Sequence, residues 1–206
     1  MLEKLIVLVE EPSMEAALEI LLPKLLRDRE WDIRPFQGKG DLLKNLPDRL
    51  RGYSTWLPAS WAILVLVDRD DDDCTALKQR LEQMTACAGL IGKTTAGDGQ
   101  RFQVASQIVI EELEAWFFGD WAAVQAAYPR VPSVVPQKAR YRNPDAISGG
   151  TWEALQQLLM DAGYFKTGLR KIECARVVAR HMDPARNRSR SFQAFLEAVS
   201  SAVAWG

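Results

Sequence analysis

The chain has 206 residues and a mass of 23.1 kDa, which predicts one domain, or one domain with an appended piece. Hydrophobic residues make up 48% and charged residues 26%, a composition that excludes disorder, collagen-like repeats and coiled coil. No apolar run reaches the roughly 18 residues of a membrane span, and the N-terminus lacks the pattern of a secretory signal. Three cysteines without CxxC spacing favour a cytoplasmic protein, and a single histidine leaves mainly oxygen ligands for any metal.

The net charge of −1 hides an asymmetry between two parts of the chain. Residues 130–190 carry 12 Lys or Arg against 5 Asp or Glu, a net of +7, so the rest of the chain carries −8. An acidic part joined to a basic part is typical of an acidic site beside a surface that attracts polyanions. Chance clustering of solvated charges is the plain alternative.

Strands and helices alternate along the first 128 residues. The predicted strands are residues 5–9, 31–36, 61–67 and 102–110, and helices with apolar residues at i, i+3, i+4 and i+7 follow them. We expect the helix over residues 42–50 to be interrupted or restarted at Pro47, and residues 92–100 to form a loop. The order predicts an α/β fold with a largely parallel sheet flanked by helices.

The composition changes after this α/β domain, which we place at residues 1–128. Residues 129–150 are rich in proline and basic residues and are predicted to form a loop. Residues 151–206 are predicted to form a helical appendage, with helices over 151–162, 169–181 and 189–204. Because about 55 residues make a marginal domain alone, we expect this appendage to pack on the sheet.

Three groups of carboxylates follow predicted strands. They are Glu10 and Glu11; the run of five aspartates within residues 68–73; and Glu111, Glu112 and Glu114. Because ligand sites in open α/β sheets lie outside the carboxyl ends of the strands, these groups are candidates to converge, and Mg²⁺ or Mn²⁺ would cancel their repulsion. The alternative is structural, since such residues also cap helices or fill first helical turns.

The first two acidic groups resemble the Toprim domain, which is shared by topoisomerases, primases and some nucleases. Toprim-like nucleases often read V-E-G-x-T-E after the first strand, and here the chain reads Val9-Glu-Glu-Pro-Ser-Met-Glu15, followed later by the Asp-x-Asp of Asp68-Arg-Asp70. The resemblance implies a parallel sheet, Glu10 as general acid and base, and metal ligands at Asp68, Asp70 and Asp72. Glu11 replaces the usual glycine, so a bend with positive φ would be strained there. If the bend is shifted, Glu11 is the active carboxylate instead.

Nearly the whole chain is similar to the bacterial domain-of-unknown-function family four-two-seven-six, placed among the Toprim-like folds. The stretches that carry this resemblance are Glu10-Glu-Pro-Ser13, Phe36-Gln-Gly-Lys-Gly-Asp-Leu-Leu43, Val67-Asp-Arg-Asp-Asp-Asp-Asp-Cys74 and Glu111-Glu-Leu-Glu-Ala-Trp-Phe117. The family has no settled activity. Its members often lie beside ABC-type or SMC-like ATPases in antiviral defence operons, which implies an ATPase partner.

Basic residues supply candidate contacts to phosphate. Lys39 lies in a Gly-rich stretch that lacks Walker A spacing, and a plain loop before a helix is its alternative role. The other candidates for neutralising a nucleic-acid backbone are Lys138, Arg140, Arg142 and Lys171. Tyr141, between two arginines, is a candidate for stacking on a base.

Together these features predict a Mg²⁺- or Mn²⁺-dependent nuclease acting on DNA or RNA. Asp68, Asp70 and Asp72 are the expected metal ligands, with Glu112 and Glu114 as further candidates, and Glu10 or Glu11 moves a proton. Two alternatives remain open: a catalytically silent Toprim-like binding module that works through its ATPase partner, and a phosphohydrolase of small molecules. The apolar last helix is predicted to be core or a homodimer face.

Overall fold

The computed structural model describes residues 1–70, 72–97, 100–168 and 170–205. Four parallel strands form one sheet in the order β2-β1-β3-β4. They are β1 (Lys4–Val9), β2 (Glu30–Pro35), β3 (Trp61–Asp68) and β4 (Val104–Val109). The predicted α/β class is confirmed. Asp71 of the acidic run, two residues of the predicted loop over 92–100, and Leu169 of a predicted helix lie outside the described residues.

Helices connect the strands and complete the chain. The helices are α1 (Pro12–Leu26), α2 (Lys39–Ser54), α3 (Cys74–Cys87), α4 (Lys93–Ala96), α5 (Glu114–Gly119), α6 (Trp121–Ala127), α7 (Thr151–Asp161), α8 (Lys171–His181) and α9 (Arg190–Val203). Residues 129–150 contain short 3₁₀ turns at Val135–Gln137, Ala139–Tyr141 and Pro144–Ala146.

Two sequence predictions about local structure are wrong. The helix expected over 42–50 extends over Lys39–Ser54 and continues through Pro47. Leu42, Leu46 and Leu50 are all buried on one side of it, so packing outweighs the backbone hydrogen bond that proline cannot make. The loop expected over 92–100 contains the short helix α4.

The sheet is covered on both faces, and its strands alternate between two apolar clusters. Leu5, Val7 and Val9 join the cluster that includes α1 and the helices after residue 150, whereas Ile6 and Leu8 join the cluster under α2 and α3. In the C-terminal part, α8 packs along α1 and α9 packs against β4. The C-terminal helices therefore share one core with the sheet. Within the described residues, none of the helices combines the length and apolar character needed to cross a bilayer.

Polar contacts hold the C-terminal part in place. The Lys24 ammonium donates to the carbonyls of Ala179, Arg180 and Met182 at 3.1, 3.2 and 3.0 Å, where α8 ends. The buried Asp145 accepts hydrogen bonds from the Ser189 hydroxyl at 2.7 Å and the backbone N–H of Arg190 at 2.6 Å. These contacts satisfy the carbonyls at the end of α8 and the N–H groups at the start of α9.

Candidate functional site

The carboxyl ends of β1 and β3 bring Glu10 and Asp68 together. These strands are neighbours in the sheet, and the chain leaves β1 for β2 on one side and reaches β3 on the other. Such a switch point is where α/β sheets bind ligands. The backbone N–H of Asp68 donates to Oε2 of Glu10 at 3.1 Å, so the first two acidic groups meet as predicted.

Of these two carboxyl groups, that of Asp68 is buried and that of Glu10 is partly buried. Burial raises the pKa of Glu10 to about 7, against the opposing hydrogen bond from Asp68, and the charge of Asp70 raises the pKa further. Asp68 is buried, and burial together with the charges of Glu10, Glu11 and Glu114 raises its pKa well above the usual value. The site therefore concentrates carboxyls that resist ionisation near neutral pH.

Glu114 brings the third acidic group into the same cluster. It lies in the first turn of α5 and is only 2% exposed. Burial raises its pKa to about 7, although the nearby Lys171 opposes the shift. Its Oε2 has no hydrogen-bond partner among the described residues. A buried carboxylate oxygen without a partner is costly, and it favours a bound cation or proton at this point.

Lys39 neutralises the acidic run after β3. Its ammonium lies 2.6 Å from Oδ2 of Asp72, 3.2 Å from Oδ2 of Asp70 and 2.7 Å from the carbonyl oxygen of Arg69. Burial alone would lower the pKa of Lys39, but the two aspartates raise it above its usual value. Lys39 begins α2, so the sheet order places it beside the aspartates, a contact that sequence reasoning did not predict.

Lys171 is a second lysine that responds to the charge of the cluster, although without an ion pair to it among the described residues. It begins α8, and its ammonium lies 4.6 Å from the ring centroid of Trp152. Burial alone would lower its pKa, but the carboxylates of Glu114 and Glu11, and then those of Glu112 and Asp68, raise it. Lys171 is therefore near enough to the acidic cluster to feel its charge, and it also lines a surface pocket with Arg170, Arg176 and Arg180.

Three of the other carboxylates make structural contacts. Glu112 accepts hydrogen bonds from the Thr151 hydroxyl at 3.1 Å and the Trp152 N–H at 2.9 Å, and so caps the start of α7. Glu111 forms an ion pair with Arg69, and Glu11 accepts a hydrogen bond from the Ser13 hydroxyl. In this conformation these three side chains therefore have structural roles, which is the alternative to metal binding that the sequence left open.

The strained backbone at this edge lies after β3 and β4 rather than after β1. Glu11 has φ −142°, an extended conformation without strain, so the bend that would be strained at this position does not occur there. Asp70 and Glu111 have φ values of 48° and 65°, in the left-handed region. They follow β3 and β4, and strain of this kind costs about 1–3 kcal/mol and clusters at functional sites.

The basic loop contributes less to the cluster than expected. Lys138, Arg140 and Arg142 are all exposed, and the Arg140 guanidinium donates to the carbonyl oxygen of Ser148 at 3.1 Å. Ser148 lines a pocket of about 550 Å³ that also includes Asp70, Glu111 and Glu112. The Tyr141 ring is buried and stacked on Phe118 with centroids 5.4 Å apart, so the prediction that it stacks on a base is wrong.

The carboxylates at this site are chemically suited to bind a divalent cation, but they are not arranged to bind one in this conformation. Within the ranges that the structure describes, no three Asp, Glu, His or Cys side chains are placed so that they could hold a metal ion as they stand. The oxygens of Asp68 and Glu114 are nevertheless the kind of ligand that Mg²⁺ and Mn²⁺ prefer, and one of them lacks a partner. These side chains would have to rearrange to bind an ion.

A parallel sheet with carboxylates gathered at its switch point defines this protein as an α/β protein with an acidic site on the carboxyl edge. Within that class, the chain belongs to DUF4276, a domain of unknown function, whose family model matches residues 9–200. The resemblance to this family is therefore confirmed, whereas the resemblance to the Toprim domain stays a prediction. No curated protein and no solved structure matches the chain significantly.

Proposed function

We propose that this protein is a Mg²⁺- or Mn²⁺-dependent phosphodiesterase that acts on nucleic acid at the carboxyl ends of β1 and β3. The observation that carries the proposal is the group of Glu10, Asp68 and Glu114, three carboxyls whose pKa values are all raised by burial. Converging buried carboxylates are unfavourable unless a cation or protons offset their charge. Perturbed groups of this kind at a switch point are typical of active sites.

Asp68 and Glu114 would hold the cation, with Glu11 and Asp70 beside them. When bound, such an ion polarises a phosphoryl oxygen and lowers the pKa of bound water. Asp72 is the least suited of the expected ligands, because it is half exposed and pairs with Lys39.

Glu10 is the group suited to move a proton. Its Oε2 accepts the Asp68 N–H, which orients the carboxyl and leaves the other oxygen, Oε1, to take up or release the proton. A pKa of about 7 lets the carboxyl serve as an acid or a base near neutral pH, where general catalysis is most efficient. Glu11 is less suited to this role, since Ser13 donates to its carboxylate.

Lys39 and Lys171 are the cations placed to bind the phosphate. The Lys39 ammonium pairs with Asp70 and Asp72, and the charge of the cluster raises the pKa of Lys171, so a phosphodiester that displaces these carboxylates would meet two ammonium groups. Arg140 is held beside Ser148, which lines the adjoining pocket of about 550 Å³, a volume suited to one nucleotide. The net charge of +7 over residues 130–190 supports a polyanionic substrate, and an ATPase partner in antiviral defence stays a proposal from the family resemblance.

A second function, a catalytically silent binding module, is favoured by a different observation. Asp70 and Asp72 pair with Lys39, Glu111 pairs with Arg69, and Glu112 caps α7. Such pairs could stabilise the sheet edge without any chemistry. The two functions differ in whether the cluster binds a divalent ion and in whether phosphodiesters are cleaved.

The deciding experiment compares the wild type with Asp68→Asn and Glu10→Gln. Cleavage of plasmid DNA, mixed RNA and bis(p-nitrophenyl) phosphate is measured with Mn²⁺ or Mg²⁺, and Mn²⁺ binding is measured by calorimetry. Cleavage of nucleic acid that needs metal and is lost in both variants, but not in the exposed control Asp161→Asn, supports the nuclease. Cleavage of the small ester alone indicates a small-molecule phosphohydrolase. No Mn²⁺ binding and no cleavage would establish the silent module.

A further inference from the structure

A groove of about 710 Å³ lies between α2 and the edge strand β2, away from the acidic cluster. It exists because α2 buries its leucines against β1 and β3, while α1 covers the opposite face of β2, where Ile33 is buried. On the groove side, β2 presents Asp32 and Arg34 instead of apolar residues. The amino ends of β1 and β3 close one end of it with Lys4 and Trp61.

Aromatic rings line this end of the groove. Trp56, just beyond α2, is 54% exposed, and its ring centroid lies 5.5 Å from that of Tyr53 and 5.8 Å from that of Trp61. Ile6 supplies an apolar floor. A tryptophan with half its surface exposed, next to two further rings, offers a face on which a flat aromatic ligand can stack.

Charged side chains of both signs line the rest of the groove. Arg34 pairs with Asp32 at 2.7 Å, and Asp48 on α2 pairs with Arg51. Arg49 lines the groove without a carboxylate in ion-pair distance among the described residues, and its guanidinium lies 5.8 Å from the Phe36 ring centroid. The groove therefore offers one unpaired guanidinium together with carboxylates that can accept hydrogen bonds.

We propose that this groove binds a nucleoside monophosphate unit, either as the free nucleotide or at the end of a strand. The three kinds of lining match its three parts: rings for the base, Asp48 or Asp32 for ribose hydroxyls, and Arg49 for the phosphate. A proline-rich peptide would use the rings but would give the arginines no anion. The groove volume suits a ligand of this size.

The groove is separate from the acidic cluster. Lys4 and Trp61 begin the two strands whose carboxyl ends carry Glu10 and Asp68. Lys4 and Glu10 are six positions apart along the chain, about 20 Å in a strand. The groove reaches nearer at Arg34, which is in register with Leu8, but it shares no lining residue with the cluster. Ligand binding here can therefore be tested without metal and independently of any cleavage.

Gly52 provides a substitution that fills the groove. It lies in α2 and lines the groove, its φ is not positive, and a Cβ placed there would meet nothing within 4 Å. Because methionine favours a helix more than glycine does, Gly52→Met should fold at least as well as the wild type. Ser54→Met, two residues further along the same helix and outside the groove lining, is the matched control.

The test is calorimetric titration of the full chain with adenosine 5′-monophosphate in EDTA, and in parallel with a 5′-phosphorylated tetranucleotide. We expect saturable binding that Gly52→Met abolishes, that Trp56→Ala or Arg49→Gln weakens about tenfold, and that Ser54→Met and Lys44→Gln leave unchanged. Tighter binding of the tetranucleotide would identify the ligand as a strand end, and tighter binding of the mononucleotide would identify it as a free nucleotide. Absence of saturable binding of both ligands, or binding that Gly52→Met leaves intact, overturns the proposal, as does binding of a proline-rich peptide in their place.

Discussion

The backbone N–H of Asp68 donates to Oε2 of Glu10 at 3.1 Å and joins the carboxyl ends of β1 and β3. This contact makes the first and second acidic groups of the chain one electrostatic unit, because each carboxylate raises the pKa of its neighbours. Glu114 extends the unit from α5, and Lys39 and Lys171 limit its net charge. The binding of protons and divalent ions by this unit can be measured through the stability of the folded protein.

We expect the wild type to lose stability as the pH rises from about 4.5 to about 7. Glu10 and Glu114 have pKa values of about 7 in the folded chain against 4.5 in the unfolded chain, so the folded state binds more protons in this window. Stability should then fall by up to ~1.4 kcal/mol per pH unit for the buried Glu114, and by less for Glu10, because its partial exposure to solvent screens the effect. Urea unfolding across this pH range should show a shallower fall for Glu114→Gln than for the wild type. Equal slopes in the two proteins would contradict the raised pKa.

Mn²⁺ should stabilise the folded protein, since an ion that binds only the folded state shifts the unfolding equilibrium. At a free concentration about 100 times the Kd, the gain should be ~2.7 kcal/mol, and Tm should rise by several degrees. Asp68→Asn should abolish this rise. Without metal at pH 8, the Tm of Asp68→Asn should be at least that of the wild type, because a buried charge has been removed. Thermal unfolding with and without Mn²⁺ measures both effects, and a Tm rise that persists in Asp68→Asn would place the ion elsewhere.

Lys24→Met should destabilise the chain by about 1–2 kcal/mol. The ammonium donates to three carbonyls at the end of α8, and methionine keeps most of the apolar stem while losing all three hydrogen bonds. The midpoint of urea unfolding should fall with an unchanged m-value. Lys44→Met, an exposed lysine of α2, serves as the control and should change stability by less than about 0.5 kcal/mol.

Asp145→Ala should cost about 3 kcal/mol, because the buried carboxylate accepts from the hydroxyls of Ser189 and Ser191 and from the Arg190 N–H. Its loss leaves donors at the start of α9 without a partner. Equilibrium unfolding by urea measures the cost, and Asp183→Ala, with an exposed carboxylate, is the comparison. A cost near that of Asp183→Ala would mean that water replaces the lost acceptor.

The sequence predicted the two central strands well because each is a nearly continuous apolar run that is buried on both faces, as in residues 61–67. The convergence of Glu10 and Asp68 was also predictable, since parallel strands bring their carboxyl ends to one edge. Predictions from local residue preferences failed where tertiary packing opposes those preferences. Pro47 was expected to interrupt a helix, but it lies within α2. The local preferences also gave no sign of the strain at this edge, which is carried by Asp70 and Glu111.

The roles of the lysines and the outer carboxylates depended on contacts between distant parts of the chain. Lys39 is 31 residues from Asp70, and Glu112 is 40 residues from Trp152, so neither contact leaves a periodic signal. Tyr141 illustrates the same limit, since its arginine neighbours favoured a surface role while its ring packs on Phe118.

The sequence by itself determined the α/β class, the family and the gathering of acidic residues at one sheet edge, because apolar periodicity and strand ends are local properties of the chain. Only the tertiary structure decided which carboxyls are buried, which are paired with lysine, and where a groove remains open beside β2. Burial and pairing depend on what packs against a side chain, and that is set by residues far away in sequence.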